Sequence, residues 1–313
     1  MRTKSRTPLY FACLFAFITS GCTNLKPLVA TGTASESTSK GSISNALESA
    51  VTAISGAADE ASKESFGSLD SLEKSRSFDA LDFLFSRSAV AASTPCTRTA
   101  SAVCAANAFL QESTYAGCTL GNTEFTLTGN VRLLWSHVGC LLTADNDYVT
   151  RTADFTRTGP AGGQLQVTSV DHTAWDNTPV GGGQVLMKNA SDFTLKNLGM
   201  HKIFTTANGK VFYDHSLKTS ADLHFSSLPR STRTLTSGTI DVYHNLLKYK
   251  ASFAVTSPLS FSADCCYPVA GQLNVTLSGL FAGTATVGFH SSCGSASVNF
   301  EGVETAFTLA LCE

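Results

Sequence analysis

Four histidines lie close in sequence to a carboxylate. Asp171 precedes His172, Asp214 precedes His215, Asp222 lies two residues before His224, and Asp241 lies three before His244. A carboxylate beside an imidazole can orient a general base or a metal ligand. Neighbouring residues on a strand point to opposite faces, so the first two pairs cannot act side by side. Asp222 and His224 share a face, but that face is polar, and a solvated surface pair is the expectation there. His137 and His215 fall on apolar faces, where a hydrogen-bonded core histidine is expected. Gly-x-Ser-x-Gly, His-Glu-x-x-His, a Walker loop and a complete EF-hand loop are all absent from the sequence. Asp145-Asn146-Asp147 begins like a calcium loop, yet it lacks the glycine and the closing glutamate, so a polar turn between Leu142 and Val149 is expected. No catalytic residue, metal ligand or cofactor is assigned, although a site assembled by the fold needs no short motif.

Cysteine chemistry is more informative. Cys13 lies inside an apolar run, Leu9 to Ile18, that follows Arg2, Lys4 and Arg6. A basic stretch followed by a short apolar one reads as a signal peptide over residues 1–21, too short to span a bilayer as a helix. Thr19, Ser20 and Gly21 supply the small residues that a peptidase needs before Cys22. Gly21-Cys22 resembles the bacterial lipoprotein signal, with Thr19 in a place where Leu, Val or Ile is usual. That resemblance implies that Cys22 is diacylated and becomes the N-terminus of an outer-membrane lipoprotein, facing the periplasm or the cell surface. The membrane is then a partner through the lipid alone. The other reading is an ordinary signal peptide cut at the same bond.

Eight cysteines remain: Cys96, Cys104, Cys118, Cys140, Cys265, Cys266, Cys293 and Cys312. In an exported chain an even number predicts a disulfide framework. Zinc is disfavoured because no Cys-x-x-Cys pair occurs. The spacing separates an early four from a late four, and pairing within each set is expected. Cys265 and Cys266 point apart on a strand and should not share a partner.

Without Arg2, Lys4 and Arg6, the 22 basic residues fall to 19 against 24 acidic ones, a formal charge near −5. That disfavours nucleic acid, and an anionic membrane surface, as an electrostatic partner.

The elements that would position these residues fall into two kinds. Residues 22–40 read as a flexible tether rich in Ser, Ala and Thr. Residues 41–94 read as partly helical and partly disordered: Ile43, Leu47, Ala50, Val51 and Ile54 recur at helical spacing, and SFDALDFLFSR repeats the pattern. Such helices would pack on the main domain or on a copy of themselves. From residue 95 to 313 the periodicity is two. Phe125 to His137 and Tyr213 to Phe225 alternate over long stretches, and shorter alternations follow after Tyr249, Leu273, Ala285 and Phe307. Asn208-Gly209 predicts a type I′ hairpin in which Phe204 faces Tyr213. Pro258, Pro268, Gly279, Gly294 and Glu301-Gly302 read as turns. Three Pro/Gly-rich segments, from Pro160, Pro179 and Pro268, share a spacing and read as turns feeding strands. Long strands with short connections predict a mainly β fold, an antiparallel meander forming a curved sheet, half-barrel or barrel.

Within this domain YAGCTLG, YVTRTADFTRTG, DCCYPVAG and FTLALCE resemble uncharacterised bacterial cell-envelope lipoproteins with a lipobox-like signal and a cysteine-rich all-β domain. The resemblance implies an exported domain with structural cysteines and carries no activity. The functional expectation is a non-catalytic structural or interaction role with an unidentified protein partner. The alternative is a half-barrel carrier of an apolar ligand or lipid.

Overall fold

The computed structural model of the chain describes residues 43–44, 46–54, 99–100, 110–119, 125–137 and 140–309. The signal, the tether, the second helical stretch, and Cys22, Cys96, Cys104 and Cys312 lie outside the described residues. Helix α1 covers residues 43–54. Among the described residues, sixteen strands follow. The first five are β1 (Thr99–Ala100), β2 (Leu110–Thr119), β3 (Thr126–Trp135), β4 (Tyr148–Thr158) and β5 (Gln164–Thr168). Then come the short pair β6 (His172–Thr173) and β7 (Pro179–Val180), followed by β8 (Gly183–Lys188), β9 (Phe193–Thr205), β10 (Val211–Phe225) and β11 (Thr234–His244). The chain continues through β12 (Tyr249–Ser262), β13 (Cys265–Gly279), β14 (Gly283–Phe289), β15 (Ser295–Phe300) and β16 (Val303–Thr308).

The fold is mainly β, a curved antiparallel meander. Fourteen strands form one sheet in which each of β1 to β4 pairs with the next, β5 pairs with β9, and β9 to β16 again pair in chain order. The one departure from a simple meander lies between β4 and β9. There β5 pairs with Asp154 to Thr158 of β4, and β8 pairs with Tyr148 to Arg151. The two short strands therefore lie end to end in one lane. Residues 169–182 leave the sheet between them, and Ser169 closes the gap through its N–H to Ala153 O (2.8 Å) and its Oγ to Ala153 N (3.0 Å).

Period-two patterning explains which face is which. On β12 and β13 the buried residues Tyr249, Ala251, Phe253, Leu273, Val275 and Leu277 alternate with more exposed ones. The buried residues share one hydrophobic core with Ile43, Ala46, Leu47, Ala50, Val51, Ala53 and Ile54 of α1. Sequence periodicity predicts a helix with one apolar stripe. In the fold Ser49 and Thr52 are buried too, leaving only Ser44 and Glu48 partly exposed among the described helical residues. A helix surrounded by a curved sheet is buried all round, and small Ala, Ser and Thr side chains let the strands approach it.

Bends in long strands come from glycine at irregular pairings. Gly271 has φ +106°, and a Cβ there would sit 2.3 Å from Pro258 O on the adjacent strand. Gly238 faces Asp222 O in the same way, at 2.4 Å with φ +120°. Both lie at register shifts, where an extra residue increases local twist. Pro258 and Pro268 are consequently inside β12 and β13, not at turns as the sequence suggests. Each sits on a long, bent strand, where a register shift relieves the ladder of the missing N–H. The segments from Pro160 and Pro179 do feed strands, β5 and β8.

Phe204 faces Tyr213 as the sequence predicts, with ring centroids 5.7 Å apart. The turn type differs from expectation. Only Gly209 among the turn residues has positive φ (+79°), and its N–H donates to Thr206 O (2.9 Å), so a three-residue loop, a turn followed by a glycine bulge, replaces the two-residue type I′ turn. Thr206 stabilises it by bonding Asn208 and Lys210 through its hydroxyl. Positive φ at both central residues occurs instead at Glu301 (+53°) and Gly302 (+84°), which join β15 to β16.

Candidate functional site

Two polar constellations meet on β9 and β10, one on each face of the sheet. Alternation separates them: Lys202, His215 and Leu217 face α1, whereas His201, Asp214 and Ser216 face the segment 169–182.

On the outer face, His172 stacks on His201 with centroids 4.4 Å apart. His172 Nδ1 donates to Val170 O (3.0 Å), which leaves Nε2 to accept the hydroxyl of Ser216 (2.9 Å). His201 Nε2 donates to Asp214 Oδ1 (2.7 Å). Asn245 Nδ2 donates to Asp214 Oδ1 (2.6 Å) and to Ser216 Oγ (2.9 Å), while its Oδ1 accepts from Trp175 N (3.1 Å). Burial pushes His172 down from the ordinary imidazole value, and charge on His201 adds to this against the bond to Val170. Burial would raise Asp214, but the hydrogen bonds from His201 and Asn245 outweigh it and hold the carboxyl below its ordinary value.

A serine hydroxyl aimed at a neutral imidazole has the polarity of a nucleophile and its base. Ser216, however, is 0% exposed, so no substrate atom can reach its Oγ in this conformation. What the cluster does in place is pin residues 169–182 to the sheet. Gly199 completes the seat, since a Cβ there would lie 1.9 Å from Gly181 N, and Trp175 lies over Gly279 beside the small cluster of Ala174, Val180 and Tyr243.

On the inner face, the contacts run to the helix. Ser49 Oγ bonds His215 Nδ1 (2.7 Å), Lys202 Nζ donates to Thr52 Oγ1 (2.7 Å), and Gln184 Nε2 donates to Ala53 O (2.8 Å). Arg151 Nη1 in turn donates to Gln184 Oε1 (3.2 Å). His215 stacks on Tyr213 (4.7 Å) and meets the edge of His244 (4.6 Å). Complete burial pushes His215 well below the ordinary value, and His244 and Lys202 push the same way. Burial also lowers His244, to about 4, although Asp214 opposes this. Both imidazoles are therefore neutral at neutral pH, and they act as packing and hydrogen-bonding groups.

Three of the four carboxylate–histidine pairs read from sequence separate in the fold. Asp214 serves His201 while His215 faces inward; Asp222 lies 3.5 Å from Lys196, and His224 lies 3.6 Å from Asp192. His244 is buried, whereas Asp241 bonds Ser220 and faces Lys250 at 3.6 Å. The expectation for His137 is corrected. Strand β3 ends at Trp135, and His137 is 62% exposed with Nε2 2.8 Å from Asp147. Asp147 itself closes a turn, its Oδ2 accepting from Thr143 N (2.8 Å) and Ala144 N (2.7 Å) while Asn146 takes φ +69°. Among the described residues, no group of three His, Cys, Asp or Glu side chains is arranged to hold a metal ion.

Cys265 and Cys293 form a disulfide with Cα atoms 5.5 Å apart, tying the start of β13 to the β14–β15 turn. Cys118, Cys140 and Cys266 are disulfide-bonded as well, and all three are buried.

His201, Ser216 and Asn245 were not singled out in the sequence, yet a signal for two of them exists. Extending the Phe204–Tyr213 register by three residues sets His201 directly opposite Ser216, as observed. Asn245 and the helix contacts carry no such local signal. Compared with protein-family models, with curated proteins and with solved structures, the chain matches none.

Proposed function

We propose that the chain is an exported envelope protein, anchored by lipid at Cys22, whose β domain has a non-catalytic structural or interaction role. The observation that carries this reading is α1. A half-barrel carrier needs a vacant concave face, whereas here the chain's own helix packs there, with Ile43 and Leu47 at 0% exposure and three inner-face side chains bonded to it. The closed Ser216–His172 pair supports the non-catalytic half of the proposal, because this hydroxyl–imidazole pairing is buried and holds a loop.

Two measurements on protein purified from membranes test the reading. Intact mass should show a diacyl addition at residue 22 that Cys22→Ala abolishes together with membrane retention. Native mass spectrometry should show no bound lipid beyond that anchor. A stoichiometric co-purifying lipid would turn the reading toward the carrier, and turnover of ester, peptide or glycoside substrates would overturn it.

A further inference from the structure

Residues 169–182 form a self-contained hairpin laid on the outer face of the sheet. His172 of β6 pairs with Val180 of β7, Ala174 N donates to Thr178 O (2.9 Å), and Gly182 N donates to Ser169 O (2.8 Å) where the segment leaves and rejoins the sheet. These bonds stay within the segment and survive its lifting as one unit. Its ties to the strands beneath are separate from them. Among the described residues they include His172 to Ser216, Trp175 N to Asn245, Gly181 N to Leu198 O (3.4 Å), Thr178 to Tyr243, and the ring of Trp175 against Gly279.

The tie at His172 has a polarity that a proton reverses. Asn245 Nδ2 donates to Ser216 Oγ (2.9 Å), so the hydroxyl's own proton points at His172 Nε2, while His172 Nδ1 already carries the proton given to Val170 O. A second proton can enter only at Nε2. There it sets two donors against each other across a hydroxyl that is buried, whereas the imidazole itself is partly exposed and open to protons from solvent. It also places a cation on a ring stacked 4.4 Å from that of His201. The surrounding charges divide. His201 on β9 opposes the proton, and Lys218 shares the face of Ser216 on β10. Asp214 on β10 and Asp171 in the segment favour it, although Asp214 is engaged by His201 and Asn245 and is also acted on by His244 at the end of β11. Asp176, Asp241 and Lys250 act on Tyr243, at the other end of the hairpin. Burial, the largest influence, and His201 together outweigh the two carboxylates and the bond to Val170, holding the imidazole below its ordinary value.

We propose that residues 169–182 are a proton-released strap, in which proton uptake by His172 breaks its bond to Ser216 and lets the hairpin lift from the sheet as a unit, uncovering His201, Asp214, Ser216 and Asn245. Once lifted, His172 takes up its proton near the ordinary imidazole value of about 6.5, whereas the seated ring does so only at lower pH. The lifted form therefore binds more protons below about pH 6.5, and seating weakens as pH falls. Such an opening is local, because the hairpin shares none of its internal bonds with the core strands. The release is independent of whether Cys22 carries a lipid.

Hydrogen exchange resolved by peptide tests the release, on the purified protein at about pH 7.5 and about pH 5, with the intrinsic rate corrected at each pH. Opening of residues 169–182 should rise several-fold on acidification, with a ceiling of about thirtyfold set by the ordinary imidazole value. Strands β12 and β13 should stay better protected than the segment throughout. His172→Gln keeps an acceptor for Ser216 but takes up no proton, so its segment should lose the rise. Should that variant misfold, acrylamide quenching of the native chain reports on Trp175, because Trp135 is 2% exposed. Quenching should increase on acidification, and Ser216→Ala, which lacks the bond to be broken, should show the increase already near neutral pH. Equal opening of the native segment at the two pH values overturns the proposal, as does an equally steep rise in His172→Gln. So does exchange of the segment no faster than that of β12 and β13, or quenching that neither acid nor Ser216→Ala changes.

Discussion

At the scale of residues, the inner face of the sheet couples neutral histidines to the helix. His215 Nδ1 is bonded to Ser49, and its Nε2 has no hydrogen-bond partner. Ser49→Ala would leave the buried ring with neither nitrogen bonded, at a cost of about 1–3 kcal/mol that urea unfolding can measure. Protonation acts on the same ring cluster. His244 is held neutral down to about pH 4 when folded, whereas in the unfolded chain it takes up a proton near pH 6.5. The unfolded state therefore binds more protons below 6.5, and stability falls as pH falls. His244 alone should account for about 2 kcal/mol lost between pH 7.5 and pH 5. Its contribution should vanish in His244→Phe, so the variant's unfolding midpoint should fall less than the native one between pH 7.5 and pH 5. The depressed carboxyls of Asp214 and Asp147 contribute above about pH 4 and lose their contribution only below it, outside that window. An unchanged midpoint between pH 7.5 and pH 5 would contradict the buried, neutral assignment.

At the scale of elements, long strands stay continuous because glycine absorbs their bends. At Gly271 an added methyl would meet Pro258 O at 2.3 Å and would also force a residue with a side chain into φ +106°. Gly271→Ala should therefore destabilise by about 3 kcal/mol or more, well beyond the ordinary helix or strand propensity of alanine. Gly209→Ala is the control. It also has positive φ, but nothing lies within 4 Å of its Cβ position, so only about 1 kcal/mol is expected. Thermal midpoints of the two variants separate steric from conformational cost. The same elements show how far local pattern reaches. Alternation places Leu127, Val131, Leu133 and Trp135 inward along β3, and the Phe204–Tyr213 register is read correctly from a turn dipeptide. The turn type is not, because a threonine hydroxyl bonding across the turn is a side-chain contact that the dipeptide rule ignores.

At the scale of the whole molecule, the bridge between Cys265 and Cys293 closes a loop of 28 residues around β13 and β14. Loop-closure entropy gives such a crosslink about 3–4 kcal/mol. Cys293→Ser should lower stability by that order without moving the β9–β10 half, a pattern that hydrogen exchange resolved by segment would display. Loss of protection throughout the sheet would instead mean that its two halves unfold as one unit. The core also reaches beyond the sheet. Helix α1 shares it, so the apolar side chains of residues 43–54 stabilise strands that begin more than fifty residues later.

What the sequence by itself determined is what depends on near neighbours. Period-two runs make strands with an inner and an outer face, a 3.6-residue period makes α1, and short polar turns make an antiparallel meander, all because side-chain direction repeats every few residues. Tertiary structure alone decided where the helix goes and which polar groups meet. Ser49 and His215 are 166 residues apart, and Thr52 and Lys202 are 150 apart. No local period specifies such contacts. They follow from the curvature of the whole sheet, which brings the inner faces of β8, β9 and β10 around one helix and sets His172 over His201 on the other side.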